Sequence, residues 1–179
     1  MRGLSRREWR AELTMAAAFL AAAVALILLV HSGREVDWSL AVVLTGVFVL
    51  CSRIHFEVGS GYTSPTQLAF VPMLLLLPPE MVPLLVAAAF GIDKGIEIAR
   101  GRAAAGRGLL MFADAWFAIG PALVIGLAAE SDPSLDQWPI YLAALAAQFA
   151  SETAAWGVRE WLHGGASRRE QLLESAWVY

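Results

Sequence analysis

From Leu13 to Val30 the chain runs for 18 residues with one polar side chain, Thr14. At 1.5 Å per residue that is about the shortest helix that crosses a hydrocarbon layer of ~30 Å. Arg2, Arg6, Arg7 and Arg10 precede it. A secretory signal has a similar order, but its apolar core is about 7–15 residues long and ends at a small-residue cleavage site. This run ends in "LLVHSGRE", so an uncleaved first membrane helix is expected. The composition agrees, with 58% hydrophobic and 16% charged residues and a mean hydropathy of +0.60. Soluble domains carry about 25% charged residues. The length fits one domain. A net charge of −3 lacks the basic footprint of a nucleic-acid binder. Cys51, the single cysteine, excludes an internal disulfide.

Apolar periodicity predicts six membrane helices, over residues 12–31, 38–55, 65–78, 80–99, 108–129 and 137–162. The fold class expected is therefore an all-α polytopic bundle. Residues 1–163 form the membrane domain, and 164–179 an amphipathic cytoplasmic tail or the start of a further helix. Lys and Arg in short connections mark the cytoplasmic side. Lys94, Arg100, Arg102 and Arg107 fill the connection after the fourth span, and Arg159, Arg168 and Arg169 follow the sixth. "HSGREVD" holds one cation, and "PPE" and "ESDPSLDQ" hold none. This alternation places both termini in the cytoplasm, with the protein in a bacterial inner membrane. It requires residues 65–78 to cross.

That third span is atypical. "GSGYTSPTQLAFVPMLLLLPPE" opens with glycines and hydroxyls, carries Pro72 inside an apolar run and ends on Pro78-Pro79. Irregular backbone at membrane depth persists only where it is buried in protein or lines a wet cavity. A short or kinked helix with an irregular lead-in is expected, with Thr63, Ser64 and Gln67 turned toward a polar interior. Ionisable groups within spans are costly and mark function by default. Asp114 lies about 9 Å, and Glu152 about 14 Å, from the cytoplasmic helix ends at 1.5 Å per residue. Gln148, Glu152 and Trp156 share one helical face by i, i+4, i+8 spacing. These residues, with Trp116, are the candidate ligand pocket or polar network. Pairing of the same groups with one another to fix helix packing is the alternative.

Asp93, Lys94, Glu97, Arg53 and His55 fall at helix ends and read as boundary residues. Ala17, Ala21 and Ala25 form a small-residue ridge suited to close helix approach. His31, His55 and His163 are too far apart in sequence to suggest a metal site. There is no phosphate-binding glycine loop, no nucleophile elbow and no zinc-protease motif, so neither catalysis nor a cofactor is expected of this chain.

The succession "GYTSPTQLAFVPMLLLLPP", "MVPLLVAAAFGI", a basic loop, "ADAWFAIGPALVIGLA" and "WPIYLAALAAQFASETAAWGVREWL" resembles the N-terminal membrane region of bacterial cyclic-di-nucleotide signalling proteins. There a multi-helix sensor precedes a GGDEF diguanylate cyclase or an HD-type phosphodiesterase. The resemblance covers about residues 10–179. It implies a sensor or anchor module that couples a cue to an output domain beyond these residues, a homo-oligomer in the bilayer, and room for a small-molecule ligand. The six-helix count and the alanine ridge also resemble the substrate-binding S-components of energy-coupling-factor transporters. Fold alone does not separate the two.

Overall fold

The structure, a computed structural model, describes residues 6–58, 61–101, 110–128 and 133–163. The tail expected over 164–179 lies outside the described residues. The chain is mostly helical. Its α-helices are α1 (Arg6–Leu29), α2 (Trp38–Ser52), α3 (Gln67–Leu76), α4 (Val82–Ala99), α5 (Leu110–Asp114), α6 (Ile119–Ala128) and α7 (Trp138–His163). Two departures from the expected all-helical pattern matter for the site.

The first is a β-hairpin where an irregular lead-in is expected. Strand β1 (Phe56–Val58) pairs antiparallel with β2 (Gly61–Thr63), with Glu57 opposite Tyr62. Residues 59 and 60 join them. The second is a break in the fifth span. Between α5 and α6 the backbone tightens into a 3₁₀ turn over Trp116–Ala118. Pro121 explains it. Proline has no N–H to give and its ring crowds the carbonyl four residues back, which is that of Phe117. The Ser151 hydroxyl lies 3.3 Å from the Phe117 carbonyl and 3.0 Å from its own-helix Gln148 carbonyl, sharing its proton between them. Ala115 and Ala118 are fully buried, so the irregular backbone is sheltered by protein.

Contacts at the two ends fix the direction of each segment. At one end, Val30 after α1 faces Gly126 near the end of α6, and Pro79 before α4 adjoins them. There too Ser32 donates to Glu80 at 3.1 Å. At the other end Glu12 of α1 meets Arg159 of α7, and Arg53 after α2 meets Asp93 of α4. The segments α1, α2, α3, α4, α5–α6 and α7 thus alternate in direction. We call the two ends the proline end and the charged end.

α3 is only 10 residues long, about 15 Å at 1.5 Å per residue. Its termination is explicit. Pro78 and Pro79 follow, and the Arg34 guanidinium donates to the carbonyls of Leu74, Leu75 and Leu77 at 3.3, 2.9 and 3.4 Å. Those carbonyls have no helical partner once the helix stops. α2 begins under an Asp37 cap, whose carboxylate accepts from the Ser39 and Leu40 amides at 2.9 and 3.1 Å. The Ser39 hydroxyl, and then the amides, hold the Asp37 carboxyl below its usual pKa. A folded-state pKa below the unfolded one means that the cap stabilises fully above the ordinary carboxylate range. The contribution fades as pH falls through the lowered value.

Rings join the segments at the centre. Phe117 of the break packs edge-on to Phe70 of α3 and Phe90 of α4, with centroids 4.9 and 6.4 Å apart. Phe90 in turn meets Phe48 of α2, and Trp116 meets Phe19 of α1. The exterior is also apolar. Leu28, Val42, Leu68, Leu127, Leu142 and Phe149 are exposed on α1, α2, α3, α6 and α7. Glu8–Leu29 and Met111–Ala128 are each long and apolar enough to cross a membrane.

Ala17, Ala21 and Ala25 are exposed. Their ridge lies on the outward face of α1, away from the other helices of the described chain. Close approach occurs instead at Gly120, where a methyl group would overlap the Ala147 carbonyl of α7. Backbone cannot swing aside as a flexible side chain does. Gly120→Ala is therefore expected to lower stability by about 1–3 kcal/mol, as overpacking does, whereas Gly46→Ala and Gly157→Ala, which meet nothing within 4 Å, should cost far less. Thermal melts of the detergent-solubilised variants check this, and equal melting points would contradict the crossing described.

Candidate functional site

At the charged end a cleft of about 650 Å³ opens between the hairpin, α3, α4 and α5. That volume falls in the range of small-molecule sites, about 300–1,000 Å³. One wall is made by Thr63 of β2 with Ser64, Thr66 and Gln67 at the start of α3. The glycine-flanked hairpin sets this wall, because β2 runs directly into the Ser64-Pro65 step that begins α3. Ser52, Arg53 and His55 contribute from the end of α2. The opposite wall is one face of α4: Phe90, Asp93, Lys94 and Glu97, with Arg100 at the helix end. Positions 90, 93, 94, 97 and 100 recur at helical spacing, so a single face presents all of them. Gly101, at φ 69°, ends the helix beside them. Asp114, the last residue of α5, lines the cleft at the break.

Two ion pairs cross or edge this space. Arg53 reaches Asp93 at 2.9 Å, tying the end of α2 to α4. Lys94 meets Glu97 at 3.1 Å along α4 itself. Asp114 is accessible to solvent through the cleft, although protein surrounds most of it, and it lies within electrostatic reach of Arg159, Lys94 and Glu12. Behind Asp114, Arg159 grips Glu12 through Nε at 2.9 Å and a terminal nitrogen at 2.8 Å. Glu12 is 1% exposed. This pair locks the charged end of α1 to that of α7.

Of the residues singled out from sequence, Thr63, Ser64, Gln67 and Asp114 come together in the cleft. Trp116 does not line it. Its indole donates to the Met15 carbonyl at 3.3 Å and its ring packs on Phe19. Gln148 is buried on α7, and Glu152 and Trp156 are exposed on the same helix. All three lie outside the cleft. Arg53, His55, Asp93, Lys94, Glu97 and Arg100 are lining residues that sequence reasoning assigned to helix boundaries or passed over. The helical recurrence of polar positions on α4 was the available signal. Glu12 was missed because it precedes the apolar run, yet it is the most buried charge among the described residues. No group of three or more His, Cys, Asp or Glu poised to hold a metal occurs among the described residues.

Comparison with known proteins finds no matching family model, no matching curated protein and no matching solved structure. The site must therefore be read from its own chemistry. Hydroxyl, amide, guanidinium and carboxylate groups are disposed around the cleft.

The two kinds of ion pair should differ in weight. Removing one partner of a buried pair typically costs 3–5 kcal/mol, because the other charge stays in protein without it. Arg159→Ala is accordingly expected to destabilise the fold by about 3 kcal/mol. The Lys94–Glu97 pair is much more open, at 26% and 40% side-chain exposure. Lys94→Ala should cost about 1 kcal/mol or less, as exposed pairs do. Melting of both variants in detergent measures the contrast, and a Lys94→Ala loss as large as that of Arg159→Ala would contradict it.

Proposed function

We propose that this chain is a membrane-embedded sensor module, a bundle of six crossings that receives a small polar ligand in the cleft at its cytoplasmic end. The single observation that carries the reading is the cleft itself: a charge-lined, hydroxyl-rich space of about 650 Å³ inside a bundle whose core and exterior are both apolar. A soluble protein rarely exposes large contiguous apolar patches, and Leu28, Val42, Leu68 and Leu127 on separate helices suit lipid. The alternating segment directions support a reading of six crossings. α3 contributes although it is short, since it starts beside the end of α2 and finishes at the carbonyls held by Arg34. The arginine-rich connections put the charged end in the cytoplasm.

The resemblance to cyclic-di-nucleotide signalling proteins supports the same class of function. A sensor needs two states that the cue binds unequally. The Arg53–Asp93 pair spans the cleft between α2 and α4, and Phe90 connects that wall to Phe117 at the helix break. A ligand that engages the cleft loads this path, and the cytoplasmic end of α7 moves with it through Glu12–Arg159. The outward alanine ridge of α1 favours a second reading, a transport S-component that docks a partner there. The side on which the cleft lies argues against that reading, since a scavenger's pocket opens outward.

Reporter fusions test the topology. Fusions at Met1, Ala104 and Tyr179 are expected to report from the cytoplasm, and insertions at Gly33 and Ser131 from the opposite side. A fusion at Ala104 that reported from the side opposite Met1 would remove α3 from the crossings and overturn the reading.

A further inference from the structure

We infer that the ligand of the cleft is a small zwitterion, with its anionic group on Arg100 and its ammonium on Asp114. This deepens the sensor reading and rests on it. The argument is one of charge left over. Arg53 is spent on Asp93, and Lys94 on Glu97. Neither Arg100 nor Asp114 makes an ion pair among the described residues. They come from different elements, the end of α4 and the end of α5, and both line the same cavity.

Around Asp114 the balance is negative. Arg159 and Lys94 are the cations within its reach, and each already faces a carboxylate of its own, Glu12 and Glu97. Arg100 carries a positive charge that no carboxylate meets in an ion pair among the described residues. A simple anion gains at Arg100 and is repelled at Asp114. A simple cation meets the reverse. A molecule with both charges satisfies both ends and leaves the site neutral. The wall of Thr63, Ser64, Thr66 and Gln67 supplies hydroxyls and an amide that donate or accept as needed. Such groups orient a polar ligand without adding charge. The shared chemistry has two sources, a free amino acid and the headgroup of a phosphatidylethanolamine.

The test uses the purified chain in phosphatidylglycerol nanodiscs, titrated calorimetrically with the common amino acids. The tightest binder is then compared with its carboxamide, which keeps only the ammonium, and its N-acetyl derivative, which keeps only the carboxylate. The zwitterion is expected to bind at least ten-fold more tightly than either. Arg100→Gln should close the gap to the carboxamide and keep the gap to the N-acetyl form. Asp114→Asn should do the opposite, and Arg100→Lys, which retains the charge, should preserve both gaps. In a second arm, phosphatidylethanolamine is added to the nanodisc. A saturable rise in melting temperature there, with no response to amino acids, assigns the zwitterion to a headgroup. Equal affinity for the three charge forms, preference for a singly charged one, or no saturable response to any amino acid or to phosphatidylethanolamine overturns the proposal. Such a failure leaves the fusion topology untouched, so the two readings fall separately.

Discussion

The structure turns on one carbonyl. Pro121 prevents Phe117 from making its ordinary helical hydrogen bond, and Ser151 of α7 takes the orphaned oxygen instead. Buried backbone acceptors are rarely left without partners, so the break survives because α7 stands beside it. Gly120 lets α7 come that close. The consequence reaches across the bundle. The tightened turn presents Trp116 to Phe19 and Phe117 to Phe70 and Phe90, and it leaves Asp114 at the end of a five-residue helix. A continuous helix would carry Asp114 around at 100° per residue on a different schedule. The break therefore sets both the packing of the centre and the position of one wall of the cleft.

The charged end follows a related economy. Six acidic or basic side chains at this end are matched in three pairs, and the most deeply buried carboxylate among the described residues, Glu12, takes both Arg159 contacts. Buried pairs of this kind seldom add stability over apolar packing, but losing one partner is costly. Their use here is positional. Glu12–Arg159 fixes α1 to α7, and Arg53–Asp93 fixes α2 to α4.

Much of this was legible in the sequence, and the remainder was hidden for physical reasons. Length and apolar runs locate most of the helical segments to within a few residues, because burying an apolar face demands them; α1 begins earlier, at Arg6. Polar groups stranded in apolar surroundings point to Thr63, Ser64, Gln67 and Asp114. The hairpin was missed because each strand has three residues, too few to show alternation, and its glycines read equally well as loop. The fifth span reads as continuous because Pro121 is tolerated near a helix start, and nothing local says which end of the run it starts. Spacing along α7 does not fix facing. Steps of four residues turn a helix by 400°, so Gln148, Glu152 and Trp156 drift about 40° at each step. The first is buried while the other two lie outside.

The alanine ridge shows the same limit from another side. Spacing states that Ala17, Ala21 and Ala25 share a face, but not what that face meets. Phe19, Ala23 and Leu26 lie on the opposite side of the helix and take the core, since their larger total volume fills the space beside Phe112 and Trp116. The alanines are what remains. Boundary residues carry the converse lesson. Asp93, Lys94 and Glu97 were assigned to a helix end, and Arg100 to the basic connection after it, because charge and position agree with both. The helix end is solvated, but by a cleft that the hairpin and α3 enclose. That enclosure is a tertiary fact, produced by three-residue strands that the sequence scarcely announces. It converts an ordinary charged helix terminus into a wall with a defined opposite face.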